Sequence, residues 1–157
     1  MWSISFNDEM VRAILEGRKT QTRRLPKRGI LPPYINGETV WVRETFIREN
    51  PLCDKKITYR ADYPAEILGK GWSPSIHMPQ WASRITLVIL NVRMERLQEI
   101  TPEDVRSEGV IEEAGDGLEL RDKFANIWDS IYEKKLPWSS NPWVWVIEFR
   151  RINNNAF

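Results

Sequence analysis

The sequence predicts a mixed α+β fold, rich in strands and poor in helices. Three observations carry this. Residues 38–46 alternate, with Val40, Val42 and Glu44 on one side and Trp41, Arg43 and Thr45 on the other. Residues 83–97 contain Arg84-Ile85-Thr86-Leu87-Val88-Ile89-Leu90-Asn91-Val92-Arg93-Met94, a long strand-like run. Helical spacing is confined to three stretches, near residues 6–16, 102–107 and 118–132.

Each element has its own signal. Asn7 caps the first helix, Asp8 and Glu9 occupy its first turn, and Met10, Val11, Ile14 and Leu15 form an apolar face. Gly17 stands where such a helix stops. Thr20–Leu25 reads as a strand with Thr20, Thr22 and Arg24 on one face and Lys19 at the bend. Asn36-Gly37 marks the turn before the 38–46 strand, and a further strand is expected at 57–61. Residues 63–81, rich in Gly, Pro, Ser and aromatics, read as a long ordered loop. Thr101 caps a helix at Pro102–Ser107, with proline at its first position, and Gly109 ends it. In the 118–132 helix, Leu120, Phe124, Ile127, Trp128 and Ile131 fall at helical spacing. Residues 143–152 form the last strand, and 153–157 are expected to be a disordered tail.

Bulk composition narrows the function. A chain of 157 residues is expected to form one domain over 1–152, burying roughly 70% of its unfolded surface. With 23 Lys and Arg against 22 Asp and Glu, a general basic coat for nucleic acid is excluded, although a local patch is not. Cys53 alone permits no internal disulfide and suits a reducing, cytoplasmic setting. One cysteine and one histidine, His77, cannot assemble the usual zinc ligand sets. Carboxylate-held Mg²⁺ stays open, but no acidic cluster argues for it, and no cofactor is expected. Nothing resembles a signal peptide or a membrane span, and the oligomeric state cannot be read.

The run Gly17-Arg18-Lys19-Thr20-Gln21-Thr22-Arg23-Arg24 is the most informative stretch. It emerges from a helix C-terminus, where the dipole favours cations. Read by itself, it binds an anion or nucleotide, or is a solvated basic turn. The pattern Gly17-x-Lys19-x-x-Thr22-x-Arg24 resembles the signature of the ASCH family, in the PUA-like superfamily. The usual signature has Glu in place of Thr22. Thr there is similar to the bacterial N(4)-acetylcytidine amidohydrolases of that family. The likeness continues at Ile100-Thr101-Pro102-Glu103-Asp104-Val105-Arg106-Ser107-Glu108-Gly109 and at Trp145-Val146-Ile147-Glu148-Phe149. Val40-Trp41-Val42-Arg43-Glu44-Thr45 and His77-Met78-Pro79-x-Trp81-Ala82-Ser83-Arg84 resemble a longer, phage- or prophage-type branch. Residues 45–84 have no counterpart in the short amidohydrolases.

The resemblance implies a small PUA-like β-barrel with flanking helices. It implies Lys19, Thr22 and Glu108 as catalytic residues around one cavity, with lysine as nucleophile and the other two as supporting acid/base groups. Amide hydrolysis needs a nucleophile, a base and an oxyanion donor. A free lysine, with a pKa of about 10.4, is uncharged in only roughly one molecule in 2,500 at pH 7. Lowering it to near 7 takes about 4.6 kcal/mol of burial or like charge. Arg18, Arg23 and Arg24 push that way, and Glu108 opposes them. Water activated by Glu108, with Lys19 as oxyanion donor, is equally open. Arg24, Trp72, His77, Trp81, Ser83 and Arg84 are candidate substrate-binding residues. Trp72 and Trp81 stack on a base or plug the barrel mouth; Ser83 and Arg84 contact phosphate or ribose. Trp41, Trp128, Trp143 and Trp145 read as core. Three functions follow: hydrolysis of an acylated nucleoside such as N(4)-acetylcytidine, non-catalytic binding of single-stranded RNA, or an ASCH-type endoribonuclease.

Overall fold

The computed structural model describes residues 1–48 and 57–152. Cys53 and the tail at 153–157 lie outside the described residues. The described residues divide into two compact units, the first from Met1–Glu16, residues 39–48 and 57–88, and residues 151–152, the second from Gly17–Glu38 and Ile89–Arg150.

In the first unit, β1 (Trp2–Ser5) runs parallel to β3 (Thr39–Arg43), pairing Trp2 with Val40 and Ser5 with Arg43. Between them in sequence lies α1 (Asp8–Leu15). Asn7 accepts from the Met10 N–H at 2.9 Å, satisfying one of the donors that a helix start leaves open. The first residues of β6 (Thr86–Arg96) pair antiparallel with β3, Trp41 opposite Thr86. The expected 38–46 strand is broken at Glu44-Thr45. Phe46 starts β4 (Phe46–Arg48), which pairs with β5 (Ile57–Tyr59) in a separate two-stranded sheet. The 63–81 loop is ordered as short 3₁₀ turns at Ala65–Ile67, Ser75–His77 and Gln80–Ala82. Each follows a proline, Pro64, Pro74 or Pro79, which lacks an N–H and sits comfortably before a turn. Phe46 and Ser73 exchange backbone hydrogen bonds, fastening the loop to β4. Trp41, Phe46, Met78 and Ala82 form the core beneath it.

In the second unit, β2 (Gln21–Arg24) pairs antiparallel with β7 (Trp143–Arg151), Thr22 opposite Ile147 and Arg24 opposite Trp145. The remainder of β6 lies on the other side of β7. Helix α2 (Pro102–Ser107) has the reciprocal capping box of Thr101 and Asp104, and α3 (Leu120–Tyr132) packs against it. Leu97, Ile100, Val105, Leu120, Phe124, Trp128, Val144 and Val146 form this unit's core. Burying each such side chain is worth about 1.5–3 kcal/mol.

Two expectations need correction. The sheet is not closed into a barrel: strand pairing ends at β1 in the first unit and at β2 in the second. Alternating strands predict a sheet but not whether its edges meet, because closure depends on tilt and stagger. Trp143 is 48% exposed rather than core, while Trp41, Trp128 and Trp145 are buried. Trp143 faces outward at the start of β7, with the Arg96 guanidinium over its ring.

Candidate functional site

Lys19 and Glu108 meet in the second unit. Gly17, at φ +79°, adopts a left-handed conformation that glycine reaches without strain, and it turns the chain out of α1. Thr20 N–H then donates to Ser107 C=O at 2.8 Å, and Lys19 forms an antiparallel bridge with Glu108. Glu108 caps the C-terminus of α2, and Gly109, at φ +96°, ends it. This backbone contact delivers the two side chains to one point. Lys19 Nζ donates to Glu108 Oε2 at 2.9 Å, Glu108 C=O at 3.0 Å and Gln21 C=O at 2.8 Å. Three protons meet three acceptors, the pattern of an ammonium. The Lys19 side chain is 0% exposed and that of Glu108 4%.

Strand alternation assembles the surroundings. Gln21 and Arg23 point the same way from β2. Arg23 donates to Glu108 Oε1 at 3.0 Å and to Glu95 Oε1 at 2.8 Å, with Asp104 Oδ2 at 3.4 Å. It also donates to the Gln21 side-chain oxygen, whose amide nitrogen reaches Asp104 and Glu148. Arg93 closes the chain by pairing with Glu148 at 2.8 Å and Glu95 at 3.5 Å. Among the described residues the network joins three cations, Lys19, Arg23 and Arg93, to four carboxylates, Glu95, Asp104, Glu108 and Glu148.

The charges respond to this environment. Burial pulls the Lys19 ammonium below its ordinary pKa; the Glu108 carboxylate opposes that shift, and the Arg24 and Arg23 charges add to it. Burial pushes Asp104 up, but hydrogen bonds from Thr101, the Arg23 charge and Gln21 outweigh it and leave the carboxyl below its usual range.

Thr22 is buried, 2% exposed, on the face of β2 opposite Gln21 and Arg23. Arg24 shares that face and lies near Tyr34, whose phenol burial pushes up while the arginine charge opposes. Sequence reasoning singled out the Thr20–Thr22–Arg24 face. The face carrying Gln21 and Arg23 supplies the contacts to Glu108, and Glu95 and Asp104 were not foreseen. The signal available was the two-residue step from Lys19 through Gln21 to Arg23.

The other candidates lie in the first unit. Arg84 grips Glu44 through two hydrogen bonds of 2.9 and 3.0 Å, and Asp62 through two of 2.8 and 2.9 Å. Its guanidinium lies 4.0 Å from the centre of the Tyr59 ring. Glu44 is 0% exposed; burial pushes its carboxyl up, against the opposing pull of Arg84. Ser83 Oγ donates to Val42 C=O at 2.7 Å and lies 3.2 Å from Ile85 C=O. Trp72 is half-buried, its ring 6.5 Å from that of Tyr63. His77 is exposed, and Trp81 is half-exposed with the Arg48 guanidinium 4.9 Å from its ring. Among the described residues, no group of three or more His, Cys, Asp and Glu is placed to hold a metal ion, and no helix is long and apolar enough to cross a membrane.

No family model and no curated protein matches the chain. Its fold is similar to the crystal structure of protein EF3133 from Enterococcus faecalis, which carries the family model DUF984. The TM-score is 0.53 at 10% identity, over 97% of this chain and 81% of that one. A looser likeness, below the level that establishes a common fold, is to an ASCH domain from Lactobacillus crispatus. Its TM-score is 0.45 at 14% identity, over 90% of this chain and 69% of that one.

Proposed function

We propose that this chain is a hydrolase that cleaves the amide of an acylated nucleoside such as N(4)-acetylcytidine, with Lys19 and Glu108 as its catalytic residues; Thr22, the third residue of the motif, lies on the other face of β2 and takes no part in the step below. The observation that carries the reading is the buried contact of Lys19 with Glu108, 2.9 Å apart from positions 89 residues distant in sequence. These are two of the three residues that the amidohydrolase-like motifs single out, and no local sequence constraint requires them to meet.

The geometry favours water as the nucleophile. Lys19 Nζ at rest spends its three protons on three acceptors and has no lone pair to offer. An attacking lysine would only exchange one amide for another, since acyl-lysine is itself an amide. In the water route, Glu108 takes a proton as the water oxygen bonds to the acyl carbon. The Lys19 ammonium stabilises the resulting oxyanion. Collapse breaks the C–N bond, the proton passes from Glu108 to the leaving N4 nitrogen, and cytidine and acetic acid result, the acid losing the water's second proton to solvent as acetate. The sealed pair must open toward substrate for this to occur, so the reading implies motion of the Lys19 turn or the α2 terminus.

The test is release of acetate from N(4)-acetylcytidine by purified protein, followed by mass spectrometry across a panel of acylated nucleosides. Turnover is expected, with Glu108→Gln lowering kcat by about 10²–10⁴-fold while binding is kept. No hydrolysis of any acylated nucleoside by folded wild-type protein overturns the reading. The reading that then stands is single-stranded RNA binding, favoured by the half-exposed Trp81 ring beside Arg48. Shortened RNA products would instead point to the endoribonuclease.

A further inference from the structure

We infer that Arg23 is the positioning residue of the Lys19–Glu108 pair: it holds Glu108 Oε1 so that Oε2 meets Lys19, and Glu95 and Asp104 keep its charge balanced when Glu108 takes up a proton. The catalytic half of this inference rests on the hydrolase reading; the electrostatic half stands on geometry alone.

Arg23 has a fully buried side chain and reaches carboxylates from two elements, Glu95 on β6, and Asp104 and Glu108 on α2 and its cap. With Arg23 on Oε1 and Lys19 on Oε2, each oxygen of the carboxylate has its own donor, and the two contacts together fix its rotation. If Arg23 had only Glu108 as counter-ion, protonating Glu108 would leave a buried, unpaired cation, which is costly. Glu95 at 2.8 Å and Asp104 at 3.4 Å remove that obstacle. The arrangement therefore does more than bury charge: when Glu108 takes up a proton Arg23 keeps Glu95 and Asp104 as counter-ions, and the Lys19 ammonium alone loses its carboxylate partner.

The charges that act on Lys19 are Glu108 from the cap of α2 and Arg23 and Arg24 from β2; behind Arg23 stand Asp104 from α2 and Glu95 from β6, and Arg93 links Glu95 to Glu148 on β7. Two substitutions in this set act in opposite directions. Arg23→Gln removes a cation that lowers the Lys19 pKa and frees Glu108 of a competing partner, so the lysine holds its proton to higher pH. Glu95→Gln removes a counter-ion from Arg23 and makes Lys19 lose its proton at lower pH. Arg23→Lys keeps the charge and restores the titration, but loses the planar grip.

The experiment follows the Lys19 side-chain ¹³Cε and ¹⁵Nζ NMR signals against pH in the folded full chain and its variants. An upward displacement in Arg23→Gln, a downward one in Glu95→Gln and recovery in Arg23→Lys are expected. In the assay, Arg23→Gln should lower kcat about a hundredfold with KM little changed. Lys19 titrating identically in wild type and in folded variants overturns the inference, whether or not the protein is a hydrolase. If Arg23→Gln does not fold, Glu95→Gln, altering a side chain 16% exposed, still decides. A protein that hydrolyses nothing but shows the opposed displacements keeps the electrostatic half and loses the hydrolase reading.

Discussion

Lys19 and Glu108 meet twice, once through a backbone bridge and once through their side chains. The double contact makes the ion pair part of the fold rather than an addition to it. Moving either residue disturbs both the strand entrance at Thr20 and the C-terminus of α2.

Glu108→Gln should therefore cost about 3–5 kcal/mol of stability at neutral pH, because it leaves a buried ammonium without its counter-charge. The pH dependence has a definite sign. Lys19 is already pulled below its unfolded value of 10.5, and the substitution removes the carboxylate that opposes this. The unfolded chain then binds a proton that the folded chain resists, so stability rises with pH over that interval. Chemical denaturation should show a deficit that shrinks toward alkaline pH. Lys19→Met in the same background should recover most of it. A deficit independent of pH would show that Lys19 is not the group responsible.

Arg84→Met tests the other buried carboxylate. Glu44 is 0% exposed and Arg84 is its two-pronged partner. The loss should again be about 3–5 kcal/mol near pH 7. Here the sign is reversed. Burial already raises Glu44 above 4.5, and removing Arg84 raises it further. A raised carboxyl stabilises the folded state below its unfolded pKa and loses that contribution as pH rises through the folded value. Thermal unfolding should thus show the variant closest to wild type at acid pH. Greater damage at acid pH than at neutral pH would refute the assignment.

Much of this was legible in the sequence because it depends on local chemistry. The Asn7 and Thr101 caps and the stop at Gly17 each involve residues within a few positions of one another. The side of the 38–46 segment that carries Val40, Val42 and Glu44 was also readable from alternation, although β3 itself stops at Arg43. All three proved fully buried, although the polarity of Glu44 alone would place it in solvent. What escaped was long-range. Trp2–Ser5 gives no strand signal by itself and becomes one by lying parallel to β3. The partners of Arg23 come from β6 and α2, and no spacing in the sequence announces them. Strand count could not decide closure, so the expected barrel is an open sheet.

Trp81→Ala addresses ligand binding in the first unit. The ring is half-exposed and borders an arginine, a surface on which a base can stack. Stacking is worth about 1–3 kcal/mol per base. Affinity for a nucleoside or short single-stranded RNA should fall roughly 5- to 150-fold by fluorescence titration, with the melting temperature little changed. Equal affinity in the folded variant would leave this ring a surface packing residue beside Arg48.

Lys19→Arg separates the two hydrolytic routes. Arginine keeps a positive charge but cannot be deprotonated, so it cannot attack a carbonyl. If lysine acts as a cationic oxyanion donor, Lys19→Met should lose about 10²–10³-fold in kcat, and Lys19→Arg should retain clearly more activity than that. The larger guanidinium must fit a site where the native side chain is 0% exposed, so both variants need matched melting curves. A second readout removes the ambiguity of misplaced geometry. Peptide mass mapping of wild-type protein quenched during turnover should find Lys19 unmodified. An acyl group on Lys19, together with Lys19→Arg as inactive as Lys19→Met, would make lysine the nucleophile. Glu108 would then be the group that takes its proton across the 2.9 Å contact.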